Sequence, residues 1–206
     1  MGEILLNFFQ SITDNGKLIT LLVSIFPLVE LKGGIPVGLG LGESLITSAL
    51  LAYIGSTCII FLLYFLLIPI FNLLKKIKII KKLVEKIETV LKNKALEISK
   101  GSENVEEKKD RFMAWALFIF VAIPFPVTGV WTGTAIAVFL KMKFSKCFLP
   151  LVIGNLVAGI LITLLTFIFK SYVNIIIDVL FIIAIIMLTI FIVKVAKSKP
   201  IESKEE

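Results

Sequence analysis

The residues best suited to chemistry are Glu30 and Lys32, two apart in an otherwise apolar stretch and followed by Gly33, Gly34 and Pro36. A carboxylate can carry a proton or hold a cation, and an ammonium can hold a phosphate or carboxylate. An ionisable side chain in hydrocarbon costs about 2.5–3.5 kcal/mol, so this pair needs a partner or a wet cavity. The sequence Phe26-Pro27-Leu28-Val29-Glu30-Leu31-Lys32-Gly33-Gly34-Ile35-Pro36 reads as a helix break. Glu30, Lys32, Gly33, Gly34 and Pro36 interrupt the arm before them, Pro27 belongs to the same tip, the glycines permit close backbone approach, and Pro36 suits the first turn of a returning helix. A structural Glu–Lys pair in a shallow interfacial loop, or a plain tight turn, would use the same residues.

A second break spans Ile123 to Thr134 and contains Pro124, Pro126, Gly129 and Gly133. Thr128 is placed to cap the arm that follows, Thr132 and Thr134 add hydroxyls, and Trp131 adds an aromatic wall with one N–H donor. Tryptophan also serves as an anchor at membrane boundaries. This break carries no charge, so charge chemistry rests with Glu30 and Lys32. The chain has no histidine, which excludes imidazole metal sites, His-based triads and histidine proton relays. Cys58 and Cys147 make no zinc or redox spacing. Neither a cofactor nor a metal is expected. One acid in an apolar stretch also offers no paired catalytic constellation, so an enzyme is not expected.

The elements that position these residues follow from composition. Of 206 residues 58% are hydrophobic and the mean hydropathy is +1.01, against about 45–50% apolar in a soluble domain. The chain therefore reads as an all-α integral membrane protein. Its net charge of +7 is concentrated in one segment between apolar spans, which favours a membrane surface over nucleic acid. Glu3 stands where a secretory signal would carry basic residues, so the apolar segments read as retained.

Residues 1–72 hold a short N-terminal helix, a broken hairpin over 18–42 and a span over 44–72. Residues 73–111 form a basic connector. A second broken hairpin over 112–140 precedes a span over 144–169, and residues 170–206 hold a last span, about Asn174 to Val193, and a tail. Each span reaches or exceeds the ~20 residues needed to cross. The arm Leu18–Val29 is too short to cross, at about 18 Å of helix, and breakers cut 112–140 in the middle, so both hairpins read as re-entrant. Charge agrees. The connector holds eleven lysines and Arg111, which places it in the cytoplasm. If 112–140 crossed, Lys141, Lys143, Lys146 and the four lysines from Lys194 onward would all lie outside. Re-entry returns them inside with the C-terminus and leaves Lys170 and Glu43 outside.

A repeat supports this plan. At a gapless offset of 99, Phe26-Pro27 matches Phe125-Pro126, Gly34 matches Gly133, and Ile54-Gly55 matches Ile153-Gly154. Each half is a broken hairpin followed by a span, in opposite orientations, an inverted repeat of the kind that in many secondary transporters places substrate at the broken helices. Ser56 and Asn155 occupy matching positions and read as interhelical hydrogen-bond partners. Asp178, with Lys170 and Asn174, reads as an outer interfacial cluster. In the connector Ile77, Ile80, Val84, Ile87 and Leu91 make a basic amphipathic helix for anionic lipid or a partner helix. The charged stretch from Gly101 to Asp110 reads as flexible.

The blocks Glu30-Leu31-Lys32-Gly33-Gly34-Ile35-Pro36 and Pro124-Phe125-Pro126-Val127-Thr128-Gly129-Val130-Trp131-Thr132-Gly133 resemble the small multidrug export protein family. That family looks like a relative of the DedA/VTT superfamily, whose members have paired re-entrant hairpins and include polyprenyl-phosphate lipid translocases. The resemblance implies Glu30 as the acidic tip residue and Lys32 at a position often filled by arginine. The second tip departs from DedA-type proteins, which place arginine there; Arg111, the one arginine of the chain, precedes the arm.

The expectation is a multi-pass, proton- or ion-coupled secondary transporter of the cell membrane. Glu30 would couple. Lys32, Thr128, Trp131 and Thr132 would bind an anionic lipid, such as a polyprenyl phosphate, or another amphipathic substrate. Partners would be membrane lipids, that substrate, a proton or cation, and a second copy of the chain. A drug-like cation exporter, or a scaffold acting through the connector, are the alternatives.

Overall fold

The computed structural model describes residues 9–27, 29–74, 105–125 and 128–169, with the single positions 179, 182, 186 and 189. The basic amphipathic helix, the Lys170–Asn174–Asp178 cluster and, but for those four positions, the last span lie outside the described residues.

Helix α1 (Gly16–Ile25) starts where Asn15 turns its side-chain oxygen onto the amides of Lys17 and Leu18, at 3.0 and 3.4 Å. It ends at Phe26, in extended conformation, because Pro27 disfavours helix in the residue before it. Helix α2 (Glu30–Gly40) returns against α1, and α3 (Leu45–Leu74) follows. In the other half, α4 (Val105–Ala122) ends just before Ile123-Pro124, α5 (Val130–Phe139) returns, and α6 (Phe144–Ile168) follows. Among the described residues the fold is all helix.

Two expectations need correction. Gly33, Gly34 and Pro36 do not form the first tip: α2 begins at Glu30 and carries all three in its body. The break is Phe26 to Val29, and Pro36 costs the helix one ladder bond, to the carbonyl four residues back, without stopping it. Gly133 likewise lies inside α5, whereas Pro27, Pro124 and Gly129 lie in the breaks and Pro126 falls outside the described residues. The charged end of the connector is also not flexible throughout. Val105 to Arg111 form the first turns of α4, with good helix formers and an exposed Glu107–Arg111 pair one turn apart at 3.6 Å.

The long helices α3 and α6 pack antiparallel. The Tyr53 hydroxyl reaches the Val152 carbonyl at 3.4 Å, and the Asn155 amide donates to Ser56 at 2.8 Å and to Thr57 at 3.1 Å. Further along, Tyr64 donates to the Met142 carbonyl at 2.7 Å. Ser56 and Asn155 thus make the interhelical bond their positions implied, and residues 99 apart meet where the helices cross.

Gly55 and Gly154 are where a short arm crosses each long helix. A side chain on Gly55 would stand 2.6 Å from the Leu21 carbonyl oxygen, and one on Gly154 would stand 2.8 Å from that of Phe118. The long helices and returning arms keep the offset of 99, but Leu21 and Phe118, and the arm ends Ile25 and Ala122, are 97 apart. The additional residues lie in the second break, where the Phe125 amide bonds the Ile123 carbonyl at 2.8 Å and the Thr128 amide that of Phe125 at 3.2 Å.

The core gathers Ile60, Leu63, Leu117, Val130, Cys147 and Leu151 between the halves, and a smaller cluster packs Leu31 and Ile35 of α2 on Ala52, Ala158 and Ile162. Outside it the surface is apolar: Leu50, Phe61, Leu62, Leu149, Ile160 and Phe167 are all more than half exposed. Leu45–Phe71 and Phe144–Ile168 are long and apolar enough to cross a membrane, and only a third of each apolar window is buried. Water would not tolerate so broad an apolar face, so these helices point to a membrane protein.

Candidate functional site

The two breaks meet. Glu30 at the start of α2 faces Gly129 and Trp131 at the start of α5, so two helix N-termini converge with the charged pair between them. Glu30 is 4% and Lys32 6% exposed. Glu30 holds a left-handed backbone, φ +50°, which costs a side-chain-bearing residue roughly 1–2 kcal/mol. That conformation joins the turn closed by the Glu30 amide on the Phe26 carbonyl, 3.1 Å, and sends the carboxylate across to the other half.

Its destination is the N-terminus of α5. The Trp131 amide donates to Glu30 Oε1 at 3.0 Å, and no side chain local to α5 caps that helix. An anionic oxygen on a helix N-terminus satisfies an orphan donor and opposes the positive end of the macrodipole. Gly129 makes room: any Cβ there would collide with the Glu30 carboxyl group. Its extended backbone is open to any residue, so the requirement is for space rather than for a conformation.

Lys32 completes the contact. Its ammonium lies 3.3 Å from Glu30 Oε2 and donates to the Phe125 carbonyl in the second break at 2.9 Å. In return the Trp131 indole donates to the Ile25 carbonyl, the last residue of α1, at 3.0 Å. Lys32 and Trp131 are 99 apart, so matching positions in the two halves each donate to a carbonyl at the break of the other. The indole gives the Ile25 carbonyl a partner, and the ammonium joins Thr128 on the Phe125 carbonyl. Among the described residues, every buried side-chain polar atom has a partner.

Of the residues singled out from the sequence, Glu30, Lys32 and Trp131 come together. Thr128 does not cap α5. Its hydroxyl lies 2.7 Å from the Ile123 carbonyl and 2.9 Å from that of Phe125, and it accepts from the Phe125 amide at 3.2 Å. It therefore braces the second break, because Glu30 has taken the capping place. Thr132 is half-buried on the first turn of α5, and Thr134 is turned to the Val130 carbonyl at 2.6 Å.

Sequence reasoning missed the carbonyls of Ile25 and Phe125 and the steric part played by Gly129. One signal was available, since a helix start preceded by glycine and lacking a capping side chain needs a cap from elsewhere. Among the described residues no group of His, Cys, Asp and Glu side chains could hold a metal ion.

The family model described as "Putative small multi-drug export protein" matches residues 30–161, well over half of the 206-residue chain. No curated protein and no solved structure matches it. The match opens on Glu30 and takes in α2, α3, the second break, α5 and most of α6, and with them every residue of the site but Ile25. This chain belongs to the small multi-drug export protein family.

Proposed function

We propose that the chain is a secondary transporter of the cell membrane, not an enzyme, built as an inverted repeat of two re-entrant hairpins whose tips meet near the midplane. The antiparallel crossing of α3 and α6 at Ser56 and Asn155, and the exchange of bonds by Lys32 and Trp131, support the repeat. In this reading the connector and C-terminus are cytoplasmic.

The observation that carries the function is the Glu30 carboxylate seated on the amide end of α5 beside the Lys32 ammonium. The donors at that point, an ammonium and a helix N-terminus, are those that hold an anion. Glu30 occupies them in this conformation. Protonating Glu30 weakens its bonds to both and releases them to an external anionic group, so proton uptake and anion binding are linked through one residue. The favoured substrate is an amphipathic anion with a phosphate or carboxylate head. A drug-like cation would need Glu30 without Lys32, which the 3.3 Å pairing opposes.

The reading is tested in proteoliposomes with a trapped pH dye, adding an alkyl phosphate in one arm and ethidium in the other. Proton movement should accompany the alkyl phosphate in the native protein and vanish in Glu30→Gln. Equal proton movement in that variant would remove Glu30 from coupling, and movement with ethidium alone would exchange the anion reading for the cation one.

A further inference from the structure

The turns that join each short returning arm to its long helix are built alike and charged oppositely. In the first half the amides of Leu41, Gly42 and Glu43 bond the carbonyls of Val37, Leu39 and Gly38. In the second those of Leu140, Lys141 and Met142 bond Ile136, Val138 and Ala137, so every member has its counterpart 99 residues away. Gly42 and Lys141 both hold a left-handed backbone, φ +89° and +56°. Glycine adopts it freely and lysine does not, so the second turn keeps a cation where its counterpart has the easier residue. Residues 141–146 carry Lys141, Lys143 and Lys146, all exposed, where the counterpart stretch carries Glu43 as its one charge.

Beside this basic start of α6 lies a groove of about 270 Å³ between α4 and α6, walled by Arg111, Trp115 and Phe118 on one side and Leu149, Pro150 and Ile153 on the other. Lys146 precedes Leu149 and Pro150 by three and four residues, so it shares their face of α6. Arg111 and Lys146 are each the last charge before an apolar run, to Ala122 on α4 and to Ile168 on α6. They stand seven and eight residues ahead of the contact between Phe118 and Gly154, about 10–12 Å along the helices. Both therefore mark one level, where charge gives way to hydrocarbon. Past it Trp115 and Leu149 are 61% and 60% exposed. Glu107 pairs with Arg111 at 3.6 Å, but both are exposed and Glu107 lies a turn further from the groove, where water weakens the contact.

Cations at the rim of an apolar groove between membrane helices match an anionic head on hydrocarbon tails. The corresponding face of the first half is not charged this way: at the offsets of 97 and 99 the counterparts of Arg111, Trp115 and Lys146 are Asp14, Leu18 and Thr47. We propose that the groove between α4 and α6 holds an anionic phospholipid, its phosphate between Arg111 and Lys146 and an acyl chain against Trp115 and Leu149. The inference needs the membrane setting but not the transport reading.

Tryptophan quenching tests it in phosphatidylcholine proteoliposomes that contain a small fraction of phosphatidylglycerol or of phosphatidylcholine, brominated in the acyl chains. Trp115 should be quenched by roughly tenfold less phosphatidylglycerol than phosphatidylcholine, the scale set by two cations beside an anionic lipid. Trp131, half-buried at the tips, supplies the same background to each sample. High salt should remove the preference in the native protein, and so should Arg111→Gln/Lys146→Gln. Trp115→Leu/Leu18→Trp moves the ring to the corresponding face of the first half and should show no preference. Equal quenching by the two lipids overturns the proposal, as does a preference that survives salt or the double glutamine variant, or one that reappears at position 18. A Trp115 that neither lipid quenches also overturns it, and would give the groove to another part of the chain or to a second copy. A lipid preference without proton-coupled transport would fault the transporter reading and leave this one standing.

Discussion

The first tip brings both charges, Glu30 and Lys32, and a strained backbone to aim one of them. The second brings no charge; it contributes a glycine that clears space, a helix end without a local cap, and a carbonyl. Packing differs as well. Helices α1, α2 and α3 pack tightly on one another, whereas α5 leans mainly on α3 of the opposite half rather than on α6 beside it in sequence. The halves therefore specialise around a shared plan: one carries charge, the other supplies the dipole and space that make buried charge tolerable. Neither half holds the site alone.

Lys32 and Trp131 occupy matching positions, and replacing each tests this division directly. Lys32→Ala leaves Glu30 buried with its cation gone and should cost about 3–5 kcal/mol, read as a large fall in the thermal midpoint of the detergent-purified protein. Gly129→Ala pushes a methyl group into the Glu30 carboxyl and should cost about 1–3 kcal/mol, together with loss of any proton-coupled flux. Trp131→Phe keeps the ring but loses the indole bond to Ile25 and should cost about 1 kcal/mol. If it proved as damaging as Lys32→Ala, the charged tip would not be the dominant partner. The smallest effect is expected at Arg111→Ala, where an exposed pair with Glu107 contributes at most about 0.5 kcal/mol. A larger loss there would assign the start of α4 a role beyond its helix.

Much of the plan was legible in sequence because its signals are local or periodic. Apolar length marked α3 and α6 to within a few residues, and Pro124 marked the end of α4, whereas the first arm was read on to Val29 although α1 stops at Ile25, ahead of Pro27. The placement of Gly33, Gly34 and Pro36 was misread because glycine and proline weaken a helix without forbidding it. Here tight packing outweighs their poor propensity: all three are buried inside α2. The same reading found the two charged residues but not their destination. Glu30 reaches an amide 101 positions away and Lys32 a carbonyl 93 positions away, and no local pattern records which carbonyl a lysine will meet. Thr128 shows the converse. Its type and place fit an N-cap, but a carboxylate from the other half is the stronger acceptor and displaced it.

The bonds between the tips form a single knot rather than a series. Glu30 touches both Lys32 and the α5 amide, Lys32 touches both Glu30 and Phe125, and Trp131 gives one N–H to Glu30 and another to Ile25. A displacement that pulls the tips apart by a bond length breaks the Glu30–Trp131, Lys32–Phe125 and Trp131–Ile25 bonds together. It leaves only the Glu30–Lys32 contact, which lies within α2, so a half-parted arrangement would bear most of the cost with little of the relief. Such a profile is a well with steep walls, so the two tips are held closely in one relative position and resist being parted.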